Sequence, residues 1–95
     1  MIVRDGERLL LSGQLTMATV PEIFTSGLQY LRHEDLLLDF LQVETVDSAA
    51  VSMLLGWSRA VQNDQRSLRV VNLPEALLSL AHLYGVAELL PQQGI

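Results

Sequence analysis

Residues 36–57, LLLDFLQVETVDSAAVSMLLGW, hold the junction that decides the fold. Leu36-Leu37-Leu38-Asp39-Phe40 is a short apolar run without alternation, the pattern of a strand covered on both faces or nearly so. From about Ser48 to Asn63 the apolar spacing becomes helical, and Asp47-Ser48 stand at the entry. A side-chain oxygen from either residue would satisfy a free amide of the first turn, so Asp47 or Ser48 is expected to cap this helix.

The flanking sequence extends this strand-to-helix unit on both sides. Toward the N-terminus, Asp5-Gly6 between Ile2-Val3 and Leu9-Leu11 predicts a hairpin, because the tight turns that match strand twist need residues tolerant of positive φ. Val20, Ile23, Phe24, Leu28, Tyr30 and Leu31 then recur at helical spacing, with Thr19 offered as cap and Pro21 in the first turn. Glu22, Thr25, Gln29 and Arg32 fall on the water-facing side. Toward the C-terminus, Leu68-Arg69-Val70-Val71 reads as a strand. Asn72-Leu73-Pro74-Glu75 reads as a turn into a third helix, which should stop at Gly85 in a left-handed C-cap. A hairpin followed by alternating helices and strands implies an α/β fold: one mixed, mostly parallel sheet packed with helices, in a single domain over residues 1–95.

Composition narrows the function. With 49% hydrophobic and 18% charged residues the chain is globular, and 95 residues leave room for one core but not for a separate substrate lobe. Six arginines, no lysine and a net charge of -5 give no basic footprint for phosphates, so nucleic acid is not an expected partner. The absence of cysteine excludes disulfides, thiolate nucleophiles and cysteine zinc sites, and fits a reducing cytosol. MIVRDGERLLLSG does not read as a secretory signal, and no run approaches about 18 apolar residues, so a soluble cytoplasmic protein without membrane insertion is expected.

The second helix carries more apolar surface than one sheet requires. Ser52, Gly56, Arg59 and Asn63 occupy a narrow polar arc, and the apolar remainder is roughly twice the ~100° stripe that packing on a sheet needs. Val51, Leu54, Leu55 and Val61 suffice for the sheet. Met53, Trp57 and Ala60 form a second ridge, expected to be partly exposed as a docking surface or, by self-pairing, a homodimer contact. A neighbouring helix covering the ridge is the competing expectation.

Catalytic chemistry is not expected. No phosphate-cradling GxxxxGK[ST] or GxSxG pattern occurs, and His33 and His82 stand apart without carboxylates at metal-ligand spacing. No cofactor or metal follows from the residues. Asp39 is expected to end its strand at the C-terminal edge of the sheet and to support the following loop through its amides.

The segment Leu38-Asp39-Phe40 through Val43, Val46, Asp47-Ser48 and Val51–Leu54 resembles the signature of the STAS domain, shared by bacterial anti-sigma factor antagonists and the cytoplasmic tails of sulfate transporters. Gly13-Gln14-Leu15 after Leu10-Leu11 looks like that family's early glycine. The C-terminal part, from Asn72 to Val86 with Leu90-Pro91, is most similar to small stand-alone STAS proteins of the MlaB type. The resemblance implies an accessory subunit bound to the cytoplasmic ATPase of an ABC system that moves phospholipids and maintains outer-membrane lipid asymmetry, at the inner face of the inner membrane. Ser48 would be a contact hydroxyl, with Asp47, Ala49 and Ser52 making up the helix mouth. The alternative it implies is an anti-sigma factor antagonist whose Ser48 is phosphorylated by a partner kinase. In such antagonists a glycine stands where this chain has Ala50, preceded by Ala49, a departure that counts against the kinase switch.

Overall fold

Two crossovers that step in the same direction set the architecture. The computed structural model describes residues 1–91; residues 92–95 of the expected domain lie outside the described residues. β1 (Ile2–Asp5) and β2 (Arg8–Leu15) form the predicted hairpin, with Gly6 at φ 63° supplying the conformation its turn requires. There follow α1 (Val20–Leu31), β3 (Leu37–Val46), α2 (Ser48–Gln62), β4 (Arg69–Val71), α3 (Glu75–Leu83) and a 3₁₀ turn at Ala87–Leu89. The strands lie in the order β1-β2-β3-β4, antiparallel in the first pair and parallel in the other two. The fold is therefore α/β, on a mixed and mostly parallel sheet.

Parallel crossovers are right-handed, so β2-α1-β3 and β3-α2-β4, both stepping the same way, place their helices on one face. Register and burial agree. Leu9, Leu38 and Val70 stand directly opposite one another and all are fully buried, joined in one apolar cluster with Val51, Leu54 and Leu77 from the helices. The adjacent row, Val3, Leu10, Asp39 and Val71, points the other way, and in its β1–β2 half Val3 is exposed and Leu10 half-buried.

β3 runs well past its expected end. It spans ten residues rather than stopping at Phe40, so Asp39 is its third residue and not the end of the strand. The pairing with β2 shifts twice, between Leu10 and Ser12 and between Gly13 and Gln14, and β3 accommodates an extra residue at each place. At the first shift Asp39 Oδ1 accepts from the Leu41 amide at 3.0 Å. β4 accompanies only Leu37–Asp39, so the second half of the strand has a single sheet neighbour and carries exposed residues such as Leu41, Gln42 and Glu44.

The ridge on α2 is core, which corrects the expectation of an exposed docking surface. Met53 and Trp57 are fully buried and Ala60 is half-buried. With α1 and α3 both packed against it, α2 is the middle helix of the layer, and its surplus apolar arc faces neighbouring helices. Trp57 stacks on Phe24 with ring centroids 6.2 Å apart and planes 7° from parallel, and its Nε1 donates to the Phe24 carbonyl at 3.0 Å. Each ring lies over a glycine of the opposite helix. A methyl on Gly27 would clash with Trp57 Cζ2, and one on Gly56 would stand 2.7 Å from Phe24 Cε1. Self-pairing through this ridge is ruled out by the same burial.

Trp57→Ala is accordingly expected to cost ~3–5 kcal/mol through the cavity it leaves. Gly56→Ala should cost about 1–3 kcal/mol through overpacking. Urea unfolding of both variants checks this; a Trp57→Ala protein within ~1 kcal/mol of the parent would contradict the buried interlock.

Candidate functional site

Ser48 sits at the carboxyl ends of two parallel strands, where open α/β sheets commonly gather their functional loops. Its position is set by Asp47, the residue between β3 and α2. Asp47 has extended backbone, φ -131° and ψ -168°, and its Oδ1 accepts from the Ala49 amide at 2.8 Å, the geometry of an N-cap. Its other oxygen, Oδ2, accepts from the Met17 amide at 2.9 Å, and its own amide donates to the Leu15 carbonyl at 3.1 Å. One aspartate thus fixes both the helix start and the loop that leaves β2. That loop is braced a second time by Thr19. Expected to cap α1, Thr19 makes no side-chain bond to that helix; its hydroxyl accepts from the Thr16 amide at 3.0 Å and donates to the Gln14 carbonyl at 2.7 Å.

With Asp47 as the cap, Ser48 is the first residue of α2 and is exposed, and its hydroxyl has no hydrogen-bond partner among the described residues. Ser52 is exposed one turn on, Ala49 is half-buried, and Ala50 is fully buried beneath them. Ser48, Val51, Ser52 and Leu55 form one wall of a groove of about 360 Å³ whose other wall is Tyr84 and Val86. Gly85, at φ 72°, turns the chain there as predicted: the Val86 amide returns to the Ala81 carbonyl at 2.9 Å, the six-to-one bond of a Schellman close. This close holds Tyr84 and Val86 against α2. Tyr84 is 53% exposed and its neighbour Leu83 is 76% exposed, and on the far side of the helix mouth Met17 is 74% exposed.

Asp47, Ser48, Ala49 and Ser52 lie together at the start of α2, but the apolar residues expected to accompany them are not the accessible ones. Met53 and Trp57 are core, whereas Leu55, Leu83, Tyr84 and Met17 supply the accessible apolar surface. The available signal was Leu83-Tyr84 immediately before the glycine that ends α3, where the helix stops and its last side chains have least cover. His33 and His82 are both exposed. Among the described residues no cluster of three or more His, Cys, Asp or Glu could hold a metal ion.

Asp39 belongs elsewhere. It lies near the start of β3 on the face away from the helices, roughly 25 Å along the strand from Asp47. Burial would raise its carboxyl pKa. Asn72 Nδ2 and the Leu41 amide, both at 3.0 Å on Oδ1, and Arg8 Nη1 at 2.9 Å on Oδ2, together hold it below the usual aspartate value. It therefore supports the amide of its own bulge, and it also ties β2 to the residue after β4.

A protein-family model described as "Mlab, STAS domain" matches residues 2–91. The chain is an MlaB-like STAS domain. Comparison with curated protein sequences yields no match. Among solved structures, this STAS chain is similar to the anti-sigma factor antagonist SpoIIAA in its unphosphorylated form, with a TM-score of 0.71 over 100% of this chain and 87% of the other, at 14% identity. That likeness shows a shared fold.

Replacing Asp47 by Ala should cost about 1–2 kcal/mol, since a cap and a loop amide both lose their acceptor, whereas Ser48→Ala should be near neutral. Thermal unfolding of the pair checks the assignment, and equal stabilities would overturn it. Because Asp39 has a lower pKa folded than unfolded, its contribution to stability is complete above the unfolded value near pH 4 and is lost as pH falls through the folded one. In acid titrations of stability, Asp39→Asn should flatten that limb; an unchanged slope would show that Asp39 does not carry it.

Proposed function

We propose that this chain is a non-catalytic protein-binding subunit that docks on the ATPase of an ABC system moving phospholipids in outer-membrane lipid asymmetry. The observation that carries this reading is the α2 mouth: an exposed Ser48, without a hydrogen-bond partner among the described residues and held in place by Asp47, beside a groove walled by Leu55, Tyr84 and Val86. A fixed hydroxyl next to exposed aromatic and aliphatic side chains has the make-up of an interface centre, where a few such residues supply most of the binding energy. The description of the matching family model supports the MlaB-type partner. Among the described residues no helix is long and apolar enough to cross a membrane, so a place at the inner face of the inner membrane would come through the partner complex.

The second reading, an anti-sigma factor antagonist switched by phosphorylation, is favoured by the exposure of Ser48 at the start of a helix, where a phosphate gains from the dipole. Two features weigh against it. Asp47 Oδ1 already occupies the Ala49 amide, so a phosphate on Ser48 would stand beside a carboxylate rather than over a free donor. Ala50, packed at 0% exposure, replaces the small flexible residue of the antagonist pattern.

Tagged chain purified from its native cell should bring down an ABC ATPase. Tyr84→Ala should weaken that association by ~2 kcal/mol and Leu83→Ala by ~1 kcal/mol, with unfolding unchanged because both residues are exposed. Retention of an anti-sigma factor and a kinase-like protein, with phosphate on Ser48, would instead establish the second reading. Undiminished binding by the Tyr84→Ala protein would remove the groove from either interface.

A further inference from the structure

The chain is acidic, with six arginines and no lysine, yet among the described residues two of those arginines have no side-chain partner. Arg4 pairs with Glu34, Arg8 with Asp39, Arg66 with Asp35 and Asp64, and Arg69 donates to the Asp35 carbonyl at 3.3 Å. Among the described residues, Arg32 and Arg59 make no ion pair and no side-chain hydrogen bond. The acids close to them in sequence, Glu34, Asp35 and Asp64, are already held by Arg4 and Arg66. Both free arginines are exposed, and both border the same groove of about 460 Å³ between α1 and α2, on the flank of α2 away from Tyr84. The apolar part of that groove is Phe24, Leu28, Gly56 and Ala60, all half-buried. Arg32 caps the end of α1 and Arg59 lies in the last turn of α2. The helix dipoles account for cations at those ends. They do not account for two guanidinium groups, each with five donors, left uncompensated at the rim of one apolar trough.

We propose that the α1/α2 groove is a second docking site, for an acidic amphipathic helix of a protein partner. Its apolar residues would cover Phe24, Leu28 and Ala60, and its carboxylates would pair with Arg32 and Arg59. Charge complementarity selects the partner's sign, since carboxylates meet planar guanidinium groups in bidentate pairs. The shape of the site selects a helix over a lipid. The trough has walls only on its two helix sides, so an acyl chain laid in it would keep much of its surface in water, whereas an amphipathic helix covers an open groove and presents its own polar back to solvent. The inference goes beyond the Ser48–Tyr84 surface and stands or falls separately from it.

The test uses the folded chain and a fluorescein-labelled helical peptide with leucines at i, i+4 and i+7 and glutamates along one flank, beside a copy in which every glutamate is glutamine. The acidic peptide should bind at least about tenfold more tightly at low ionic strength, with the preference shrinking as salt is raised. Arg32→Gln combined with Arg59→Gln should abolish the preference while leaving thermal unfolding and, because the sites are distinct, ATPase co-purification through Tyr84 unchanged. Equal binding of the two peptides, no binding of either, or a preference that survives in the double variant would each overturn the proposal. So would binding of phosphatidylglycerol vesicles that is lost in the double variant while the acidic peptide is ignored, which would assign the groove to a lipid surface.

Discussion

The contact on which the rest of the helical layer depends is the interlock between α1 and α2. Trp57 and Phe24 stack, and each ring occupies the space over a glycine that a single methyl would close. The close approach lets Trp57 bury completely while its indole N–H still finds an acceptor, the Phe24 carbonyl, so the largest side chain in the core leaves no polar atom stranded. With α1 fixed on one flank of α2 and α3 on the other, the exposed residues of α2 are Ser48, Ser52, Arg59 and Gln62, along one strip. Burial of Met53 and Trp57 thus limits what α2 can offer a partner to that strip and its borders.

The second constraint is topological. Parallel strands stepping in one direction put successive crossover helices side by side on one face, so the middle helix must be apolar over more of its circumference than a helix with one neighbour. α2 is that helix. A wide apolar arc is the mark of a central helix as much as of an interface, and periodicity alone gives the width of the arc without saying what covers it.

This explains which parts of the structure were legible in the sequence. The hairpin at Gly6, the stop of α3 at Gly85 and a cap at the entry of α2 depend on backbone conformations or hydrogen bonds that only a few residue types supply, and these were legible; the choice of Asp47 over Ser48 as the cap was not, because both can offer a side-chain oxygen there. The length of β3 was not, because Leu41–Val46 has one sheet neighbour and a mixed polar pattern, and its two bulges break the alternation that would have marked it as a strand. Gly27 and Gly56 carried no readable signal either: their role lies in the ring that each accepts from another helix, which is a tertiary fact. Leu83 and Tyr84 were hidden among the apolar residues of α3 and emerge as surface only because the Schellman close turns the chain directly after them.

Asp47 has one further consequence, a mechanical one. Its two carboxylate oxygens hold amides from different elements, Ala49 at the start of α2 and Met17 in the loop that leads to α1, and its own amide is anchored on the end of β2. It acts as a short strut with three fixed ends. A load applied at Ser48 is therefore passed directly to the loop carrying Met17, and through Thr19 into the root of α1, so the helix mouth and that loop are held as one stiff body.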